Sequence, residues 1–313
     1  MESQTEWIWY DGKLVPSVNA TTHVLTHSLH YGVSVFEGIR AYQGDAGVPL
    51  VFRLVDHVRR LYESAKLFRM EIPYLPDQLV QSHCELLRKS GLARAYVRPI
   101  AFYGPEKRGL LPTGAKVHVA IAAYTWDAYL GETASTQGIR MKTATHSRPA
   151  PSSMLNRAKV SGLYTVSILA KMEATDDGYD EALLLDDRGQ VAEASGENLF
   201  IVKQGQLIEP DSPCALLGIT RDTVMGLARD RGIPVVSRRM TRDDVYLADE
   251  AFLTGTAAEI APIVQLDRRT IGDGRPGPVT IELIRAYADA VRGRDPRHPD
   301  WVTSVAPPSS EPS

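Results

Sequence analysis

Two short segments of this 313-residue chain carry residue types that together support carbonyl chemistry. Lys159 closes the run Asn156-Arg157-Ala158-Lys159, and Glu193 opens the run Glu193 to Phe200 after an apolar strand. A lysine amine can form a Schiff base with an aldehyde, and an ionised carboxylate in a low-dielectric site can hold a proton on a pyridine nitrogen. Pyridoxal 5'-phosphate needs both groups to act as an electron sink. We therefore expect this cofactor.

The pair alone does not decide the function, because a single lysine is far more often a solvated surface charge than a catalytic group. A catalytic lysine must also be a neutral amine when it takes up a proton. Lys159 is flanked by Ala158 and Val160, which favours the desolvation that this requires.

The surrounding sequence resembles the fold-type IV family of pyridoxal-phosphate enzymes, and within it the branched-chain amino acid aminotransferases. The resemblance runs from about Trp9 to about Tyr287. Its matching segments are Tyr31 to Arg40, Tyr96-Val97-Arg98-Pro99, Ala123-Tyr124-Thr125-Trp126, Lys159 to Tyr164, Glu193 to Phe200, Leu216 to Arg221, Tyr246 to Glu250 and Gly255-Thr256-Ala257-Ala258-Glu259.

This resemblance implies an α+β fold of two domains with the active site between the domains. It implies transamination of L-leucine, L-isoleucine and L-valine with 2-oxoglutarate, giving branched-chain 2-oxo acids and L-glutamate. Lys159 would be the catalytic residue, and no metal would be needed.

The cofactor phosphate needs cationic and backbone donors, which a helix beginning near Gly218-Ile219-Thr220 would supply at its N-terminus. The resemblance assigns phosphate contacts to Arg59, Ile219, Thr220 and Thr256. It assigns ring stacking to Leu216, the ring nitrogen to Glu193 and the phenolic oxygen to Tyr164. Arg60 is an equally good guanidinium, and only the family match favours Arg59.

The resemblance also implies how substrates bind. Phe36, Trp126 and Tyr164 would line an apolar pocket, together with Tyr31 from a second copy of the chain, which predicts a homodimer. Arg98 would bind the side-chain carboxylate of glutamate. Tyr96 and the backbone at Thr256-Ala257 would hold the α-carboxylate.

The loop Gly104 to Leu110 departs from the family, in which it closes over the partner's active site. Its Glu106-Lys107-Arg108 run is more charged than the usual apolar and glycine-rich form. Arg108 either recruits a second carboxylate or is solvated, and we favour solvation.

Composition agrees with an ordinary globular protein that acts on small molecules. Hydrophobic residues make up 43% and charged residues 23%, and the formal net charge is -3. No block of like charge suggests a nucleic-acid or anionic-membrane partner. No run approaches the roughly 18 apolar residues of a membrane span, and the acidic start Met1 to Glu6 lacks a signal-peptide core. We expect a cytoplasmic protein whose two cysteines, Cys84 and Cys214, serve in packing.

The hydrophobic pattern predicts two α/β halves. We expect a smaller N-terminal α/β domain over 1–126, an interdomain loop over 127–137, a larger C-terminal domain over 138–292 and a flexible Pro/Ser-rich tail over 293–313. Helices are predicted over 54–68, 79–87, 160–172, from 219 and over 279–291, and strands over 7–10, 95–103, 117–126, 181–185, 190–194, 199–202 and 234–237.

Two other motifs favour different functions and are set aside. Gly272 to Gly277 reads Gly-x-Gly-x-x-Gly, but Pro276 and Pro278 remove backbone donors, so a turn before the last helix explains it better than dinucleotide binding. His23, His27 and His30 have a helical spacing, but the β-branched residues around them and the lack of a nearby carboxylate disfavour a zinc site.

Three rival functions remain. A D-amino acid or (R)-amine transaminase of the same fold is disfavoured by Tyr96-Val97-Arg98 together with Glu37-Gly38-Ile39-Arg40, which resemble the L-branched-chain pattern. An aminodeoxychorismate lyase would eliminate rather than transfer. A non-catalytic binding protein would have no chemical reason to retain both Lys159 and Glu193.

Overall fold

The computed structural model describes residues 6–126, 129–131 and 133–306. The chain forms two compact units. The first unit comprises 1–126, 158–162 and 289–313, and the second unit comprises 127–157 and 163–288. The segment 158–162 returns to the first unit, which the sequence does not reveal.

The described residues contain helices and strands throughout both units. The helices are α1 His27–Tyr31, α2 Leu54–Leu67, α3 Pro76–Ser90, α4 Ala134–Gln137, α5 Tyr164–Asp176, α6 Ile219–Asp230, α7 Arg242–Tyr246 and α8 Pro278–Ala290. The strands are β1 Trp7–Tyr10, β2 Lys13–Pro16, β3 Ser34–Phe36, β4 Ile39–Gln43, β5 Pro49–Phe52, β6 Ala95–Tyr103, β7 Val117–Tyr124, β8 Ile139–Ser147, β9 Glu181–Leu185, β10 Val191–Ala194, β11 Asn198–Lys203, β12 Gln206–Pro210, β13 Val235–Arg238, β14 Glu250–Gly255, β15 Glu259–Leu266, β16 Arg269–Thr270 and β17 Val302–Ser304.

The first unit is built on an antiparallel sheet in the order β17-β5-β4-β6-β7-β1-β2, with β3 paired to β6. Helix α2 buries the stripe Leu54, Val58, Leu61 and Ala65, whose spacing of three and four residues predicts a core-facing helix. Helix α3 begins with Pro76, which suits a first helical turn, and ends before Gly91, whose φ of 68° is readily adopted by glycine.

The second unit is built on a mixed sheet in the order β10-β9-β8-β15-β14-β11-β12-β13, with β16 paired to β15. Alternating side chains of a strand point to opposite faces. Leu183 therefore joins a large core that contains Met141, while Ala182 and Leu184 of the same strand pack against Ala170 of α5. Both faces are covered, which explains why β9 reads as a continuous apolar run.

The C-terminal segment differs from its prediction. The sequence predicts a flexible tail from residue 293, but β17 pairs with β5 and Trp301 packs its ring against Phe52 at 6.1 Å and beneath the Arg53 guanidinium at 5.1 Å. Packing of these rings offsets the conformational entropy that the segment loses when it becomes ordered. The Pro/Ser content alone predicts that the tail stays flexible. Residues 307–313 lie outside the described part of the chain.

The glycine-rich Gly272 to Gly277 segment leads into α8, as the turn interpretation expects. A Cβ on Gly277 would lie 2.1 Å from the Glu250 carboxyl carbon. That carboxylate accepts hydrogen bonds from the backbone of Val279 and Thr280 at 3.0 and 2.7 Å. Glycine is needed here because the capping carboxylate occupies the space of a side chain.

Within the described residues, none of the helices combines the length and apolar character that spanning a bilayer requires.

His83 makes the stability of the first unit sensitive to acid. Its ring is fully buried on α3, with Nδ1 2.6 Å from the Leu79 carbonyl oxygen, to which it donates. Burial lowers the pKa of His83 from 6.5 to about 4, although the hydrogen bond to Leu79 opposes this. The unfolded chain therefore binds more protons between these two values, so stability falls as the pH falls through that window.

Lowering the pH from 7 to 5 should destabilise the parent protein by about 2 kcal/mol more than it destabilises His83→Gln. This difference in the free energy of unfolding follows from the two pKa values of His83. Urea unfolding at both pH values measures this. The exposed His146→Gln variant is the control and should lose as much stability as the parent protein. An unchanged loss in His83→Gln would contradict the assignment.

Candidate active site

The backbone N–H and the backbone carbonyl oxygen of Lys159 both form hydrogen bonds. Its N–H donates to Ser64 Oγ on α2 at 3.0 Å, and its carbonyl oxygen accepts from the Phe36 N–H at 3.1 Å. Val160 forms an isolated antiparallel bridge with Val35 of β3. The position of the amine's backbone is therefore fixed by two elements of the first unit.

The Phe36 ring contacts both this lysine and one guanidinium within the first unit. The Lys159 Nζ lies 4.9 Å from the Phe36 ring centroid, and the Arg98 guanidinium carbon lies 5.1 Å from the same centroid. The Tyr96 and Trp126 rings meet edge to face with centroids 4.5 Å apart. The structure thus brings together five of the site residues that the sequence predicts.

Gly38 allows Tyr96 to approach the backbone closely. A Cβ at this position would lie 1.9 Å from the Tyr96 hydroxyl oxygen. The same hydroxyl lies 3.4 Å from Arg98 Nη2. A side chain at position 38 would therefore move the Tyr96 hydroxyl away from Arg98.

Helix α2 places its two adjacent arginines in different surroundings. The Arg59 side chain is 63% exposed and pairs with Asp56 at 2.9 Å. The Arg60 side chain is 11% exposed and pairs with Glu37, with Nε and Nη2 at 2.7 and 2.8 Å from the two carboxylate oxygens. Arg60, four residues before Ser64, shares the helix face that contacts Lys159, and Arg59 does not.

Tyr31 is the last residue of α1. Among the described residues of this one chain, no contact is seen between its ring and the Phe36, Tyr96 or Trp126 ring. It is 44% exposed, and its ring stands 4.6 Å from the His27 ring. The structure contains one chain, so its predicted role in a second copy stays a prediction.

The histidines considered for a zinc site are engaged with the backbone. His23 Nδ1 accepts from the Leu25 N–H at 3.0 Å, while His27 Nε2 and His30 Nε2 lie 2.9 Å from the carbonyl oxygens of Gly109 and Val24.

Glu193 is buried in the second unit and oriented by three donors. Its Oε1 pairs with Arg148 Nη2 at 2.9 Å. Its Oε2 accepts from the Leu216 N–H at 3.0 Å and lies 3.5 Å from Asn198 Nδ2. Such a carboxylate has a fixed orientation, as a group that must face a cationic ring nitrogen requires.

The segment before α6 is tied to this carboxylate. Asn198 Nδ2 donates to the Leu216 carbonyl at 2.8 Å, and a Cβ on Gly218 would lie 2.0 Å from Asn198 Oδ1. Gly218 is the N-cap of α6, so the N–H groups of Ile219 and Thr220 lie in the first turn and have no acceptor within the helix. The start of this twelve-residue helix can bind an anion.

The remaining predicted residues of the second unit lie in a turn and at a helix start. Thr256 and Ala257 follow β14, in the turn that closes the Gly255–Glu259 pair, and both are half-buried. Tyr164 is the first residue of α5.

Glu197 is a second buried acid beside this turn. Its Cγ would lie 3.1 Å from a Cβ on Gly255. Burial, reinforced by the charges of Glu181 and Glu193 and opposed by Lys171, raises the pKa of Glu197 to about 8. This rise favours the neutral carboxyl group and limits the negative charge near Glu193.

A family model described as amino-transferase class IV matches residues 34–266. The chain belongs to the class IV aminotransferases. The expected fold-type IV architecture and family are confirmed by this match and by relatives along almost the whole chain.

Three relatives illustrate the similarity of this class IV aminotransferase to known proteins. The branched-chain-amino-acid aminotransferase of Pseudomonas aeruginosa is 50% identical over 298 residues, covering 95% of this chain and 97% of the relative. The crystal structure of the T.th. branched-chain amino acid aminotransferase with pyridoxamine 5'-phosphate has a TM-score of 0.93 and 47% identity, covering 96% of this chain and 99% of that one. The Escherichia coli enzyme has a TM-score of 0.94 and 41% identity, covering 96% and 100%.

Sequence reasoning missed several residues that shape the site. Arg148 pairs with Glu193, and Asn198 links Glu193 to Leu216. Asn198 lies within the Glu193 to Phe200 segment, so its type and position were available signals. Ser64 acts through a contact distant in sequence, and no local pattern identifies it. Glu37 stands in the Glu37-Gly38-Ile39-Arg40 motif, but its pairing with Arg60 depends on the fold.

We predict that Gly218→Ala weakens binding of pyridoxal 5'-phosphate about tenfold or more, because the added methyl displaces Asn198 and overpacking costs about 1–3 kcal/mol. Fluorescence titration of the apoprotein measures the dissociation constant. Gly196→Ala is the matched control, since a Cβ there meets nothing within 4 Å. Equal affinities of the two variants would contradict this account of Gly218.

Proposed function

We propose that this class IV aminotransferase uses pyridoxal 5'-phosphate to transfer the amino group of L-leucine, L-isoleucine and L-valine to 2-oxoglutarate. The observation that carries the proposal is the placement of the Lys159 amine over the Phe36 ring, in a set of apolar rings that also contains the Arg98 guanidinium. Relatives 41–50% identical over nearly their full length bear the name of branched-chain aminotransferase.

The residues present meet the three chemical demands of the cofactor. Lys159 offers the amine for its aldehyde, and Glu193, oriented by Arg148, offers a carboxylate for its ring nitrogen. The space that Gly218 leaves beside Asn198 keeps the α6 N-terminus close to Leu216, the residue proposed to stack on the ring.

The remaining cofactor contacts are assigned to individual residues. Ile219, Thr220 and Thr256 would hold the phosphate, and Tyr164 would contact the phenolic oxygen. For the arginine we propose Arg60 rather than Arg59, because Arg60 faces the side of α2 that contacts Lys159 while Arg59 is exposed. When bound, the cofactor supplies a protonated ring that withdraws electron density from the substrate's α-carbon.

Lys159 does the acid–base work at that carbon. Lys159 Nζ would accept the α-proton and would later donate a proton in the second transfer. General acid–base catalysis of this kind contributes about 10²- to 10⁴-fold. The hydrogen bonds to Ser64 and Phe36 keep the amine's backbone in place during both transfers.

The proposed pocket would take both apolar and acidic substrates. Phe36, Trp126 and Tyr164 would bind a branched side chain, while Arg98 would bind the second carboxylate of glutamate. The Arg98 guanidinium carbon lies 5.1 and 5.2 Å from the centroids of the Phe36 and Tyr96 rings. Its positive charge therefore packs against aromatic surface. Tyr96 and the Thr256-Ala257 backbone would hold the α-carboxylate.

A homodimer is part of the proposal. Tyr31 is exposed, and the same stretch of chain exposes Val24 and Leu29 by 72% and 64%. Large apolar side chains at such exposure suit an interface with a second copy. A cytoplasmic location stays a prediction.

The charged loop is held by residues of its own unit. The Lys116 N–H donates to Glu106 Oε2 at 3.2 Å, and His27 lies 2.9 Å from the Gly109 carbonyl. Lys107 and Arg108 are exposed. These contacts support a solvated Arg108.

We predict that L-leucine bleaches the absorption of the bound cofactor and that 2-oxoglutarate restores it, because the amino group passes through the cofactor in two half-reactions. Stopped-flow absorbance measures both steps. Lys159→Ala should slow the cycle more than about a thousandfold, whereas the exposed Lys13→Ala should match the parent protein.

Other outcomes would favour the rival functions. Bleaching by D-alanine but not L-leucine would indicate a D-amino acid transaminase. Pyruvate release from aminodeoxychorismate would indicate the lyase. A spectrum that no amine alters would indicate a binding protein.

A further inference from the structure

A buried cluster of charged and polar side chains lies beside Lys159 in the first unit. Glu37 is fully buried, with Oε1 2.7 Å from Arg60 Nε and Oε2 2.8 Å from Arg60 Nη2. The same Oε2 lies 2.7 Å from His57 Nδ1. The Glu37 and His57 side chains are 0% and 3% exposed, so bulk water does not compete for these contacts.

The charges of the cluster are fixed by their surroundings. Burial alone would raise the pKa of Glu37, but the charge and hydrogen bonds of Arg60, together with the hydrogen bond of His57, hold it well below its usual range. Burial lowers the pKa of His57 despite the hydrogen bond to Glu37. His57 is therefore neutral at pH 7 and donates its Nδ1 proton to a carboxylate that can only accept.

The bidentate pair determines the orientation of the arginine. A guanidinium is planar, and two parallel hydrogen bonds to one carboxylate fix both its plane and its direction. These bonds use Nε and Nη2 and therefore set where the other edge of the guanidinium points. Because His57 holds Oε2 from a second direction, the carboxylate itself has a fixed position.

The cluster is joined to the lysine through two short connections. Phe36 directly precedes Glu37 and donates its N–H to the Lys159 carbonyl. Ser64 lies one helical turn after Arg60 and accepts from the Lys159 N–H at 3.0 Å. The distance between the lysine and the guanidinium is thus set by one rigid frame.

From this geometry we propose that Glu37 and His57 are positioning residues, which orient the Arg60 guanidinium toward the phosphate of the cofactor. This inference rests on the proposed function, in which Arg60 is the phosphate-binding arginine. Glu37 and His57 contact neither substrate nor cofactor in this account.

The test compares the affinities of the apoprotein for pyridoxal 5'-phosphate and for pyridoxal, each measured by fluorescence titration. Both probes carry the same aldehyde and ring, so the dissociation constant for pyridoxal divided by that for pyridoxal 5'-phosphate isolates recognition of the phosphate. Thermal unfolding of each variant provides a separate measure of folding.

Glu37→Gln should lower this ratio about tenfold, since the amide offers only one acceptor and brings N–H donors against the guanidinium. Arg60→Lys should lower it at least as much, because an ammonium cannot form the bidentate pair. His57→Leu removes one hydrogen bond and should lower it about fivefold. Arg59→Ala is the matched control and should stay within about twofold of the parent protein.

Failure of this inference and failure of the proposed function give different results. If Glu37→Gln weakens both probes equally, Glu37 is merely structural and the inference is wrong. An unchanged ratio in Arg60→Lys would instead remove Arg60 from the phosphate site, and a parent protein that binds neither probe would overturn the proposed function. Should Glu37→Gln fail to fold, the ratio in His57→Leu decides, and an unchanged value there overturns the inference.

Discussion

The hydrogen bonds that hold the backbone of Lys159 are the constraint on which the rest of the structure depends. The chain leaves the second unit after residue 157 and re-enters it at 163, and the five residues between belong to the first unit. Their attachment to Phe36 and Ser64 fixes the base of a long flexible side chain. The acid–base role proposed for this amine needs such a fixed base, because misplacement of a reacting group by about 1 Å can cost 10²-fold in rate.

Each unit contains a buried ion pair among its candidate site residues, and these pairs suggest orientation rather than stability as their purpose. Glu37 pairs with Arg60 in the first unit, and Glu193 pairs with Arg148 in the second. Replacing such a pair by apolar residues is often neutral or stabilising, because desolvation of the two charges offsets their attraction. Their presence here is better explained by the need to hold a carboxylate or guanidinium in one direction.

Much of the fold could be predicted from the sequence because its signals are local. The apolar runs over 95–103 and 181–185 become β6 and β9 with the predicted bounds, and α6 begins at the predicted Ile219. The ordering of 302–304 could not be predicted, since it depends on Trp301 meeting Phe52, far away along the chain. The return of 158–162 to the first unit likewise depends on distant partners.

The candidate site shows the same division. Lys159 and Glu193 stand in recognisable segments, so the roles proposed for them could be assigned before any geometry. The choice between Arg59 and Arg60 could not, because neighbouring helix positions differ by about 100° around the axis and only the packing of α2 decides which faces inward. The contact of Arg148 with Glu193 could not be predicted either, because it arises from the sheet.

The central claim is that Lys159 holds the cofactor, and borohydride reduction tests it most directly. The protein is reconstituted with pyridoxal 5'-phosphate, reduced, digested and analysed by peptide mass spectrometry. We expect the reduced cofactor on the peptide containing Lys159 and its loss in Lys159→Ala. Attachment to a different lysine in the parent protein, or no attachment at all, would contradict it.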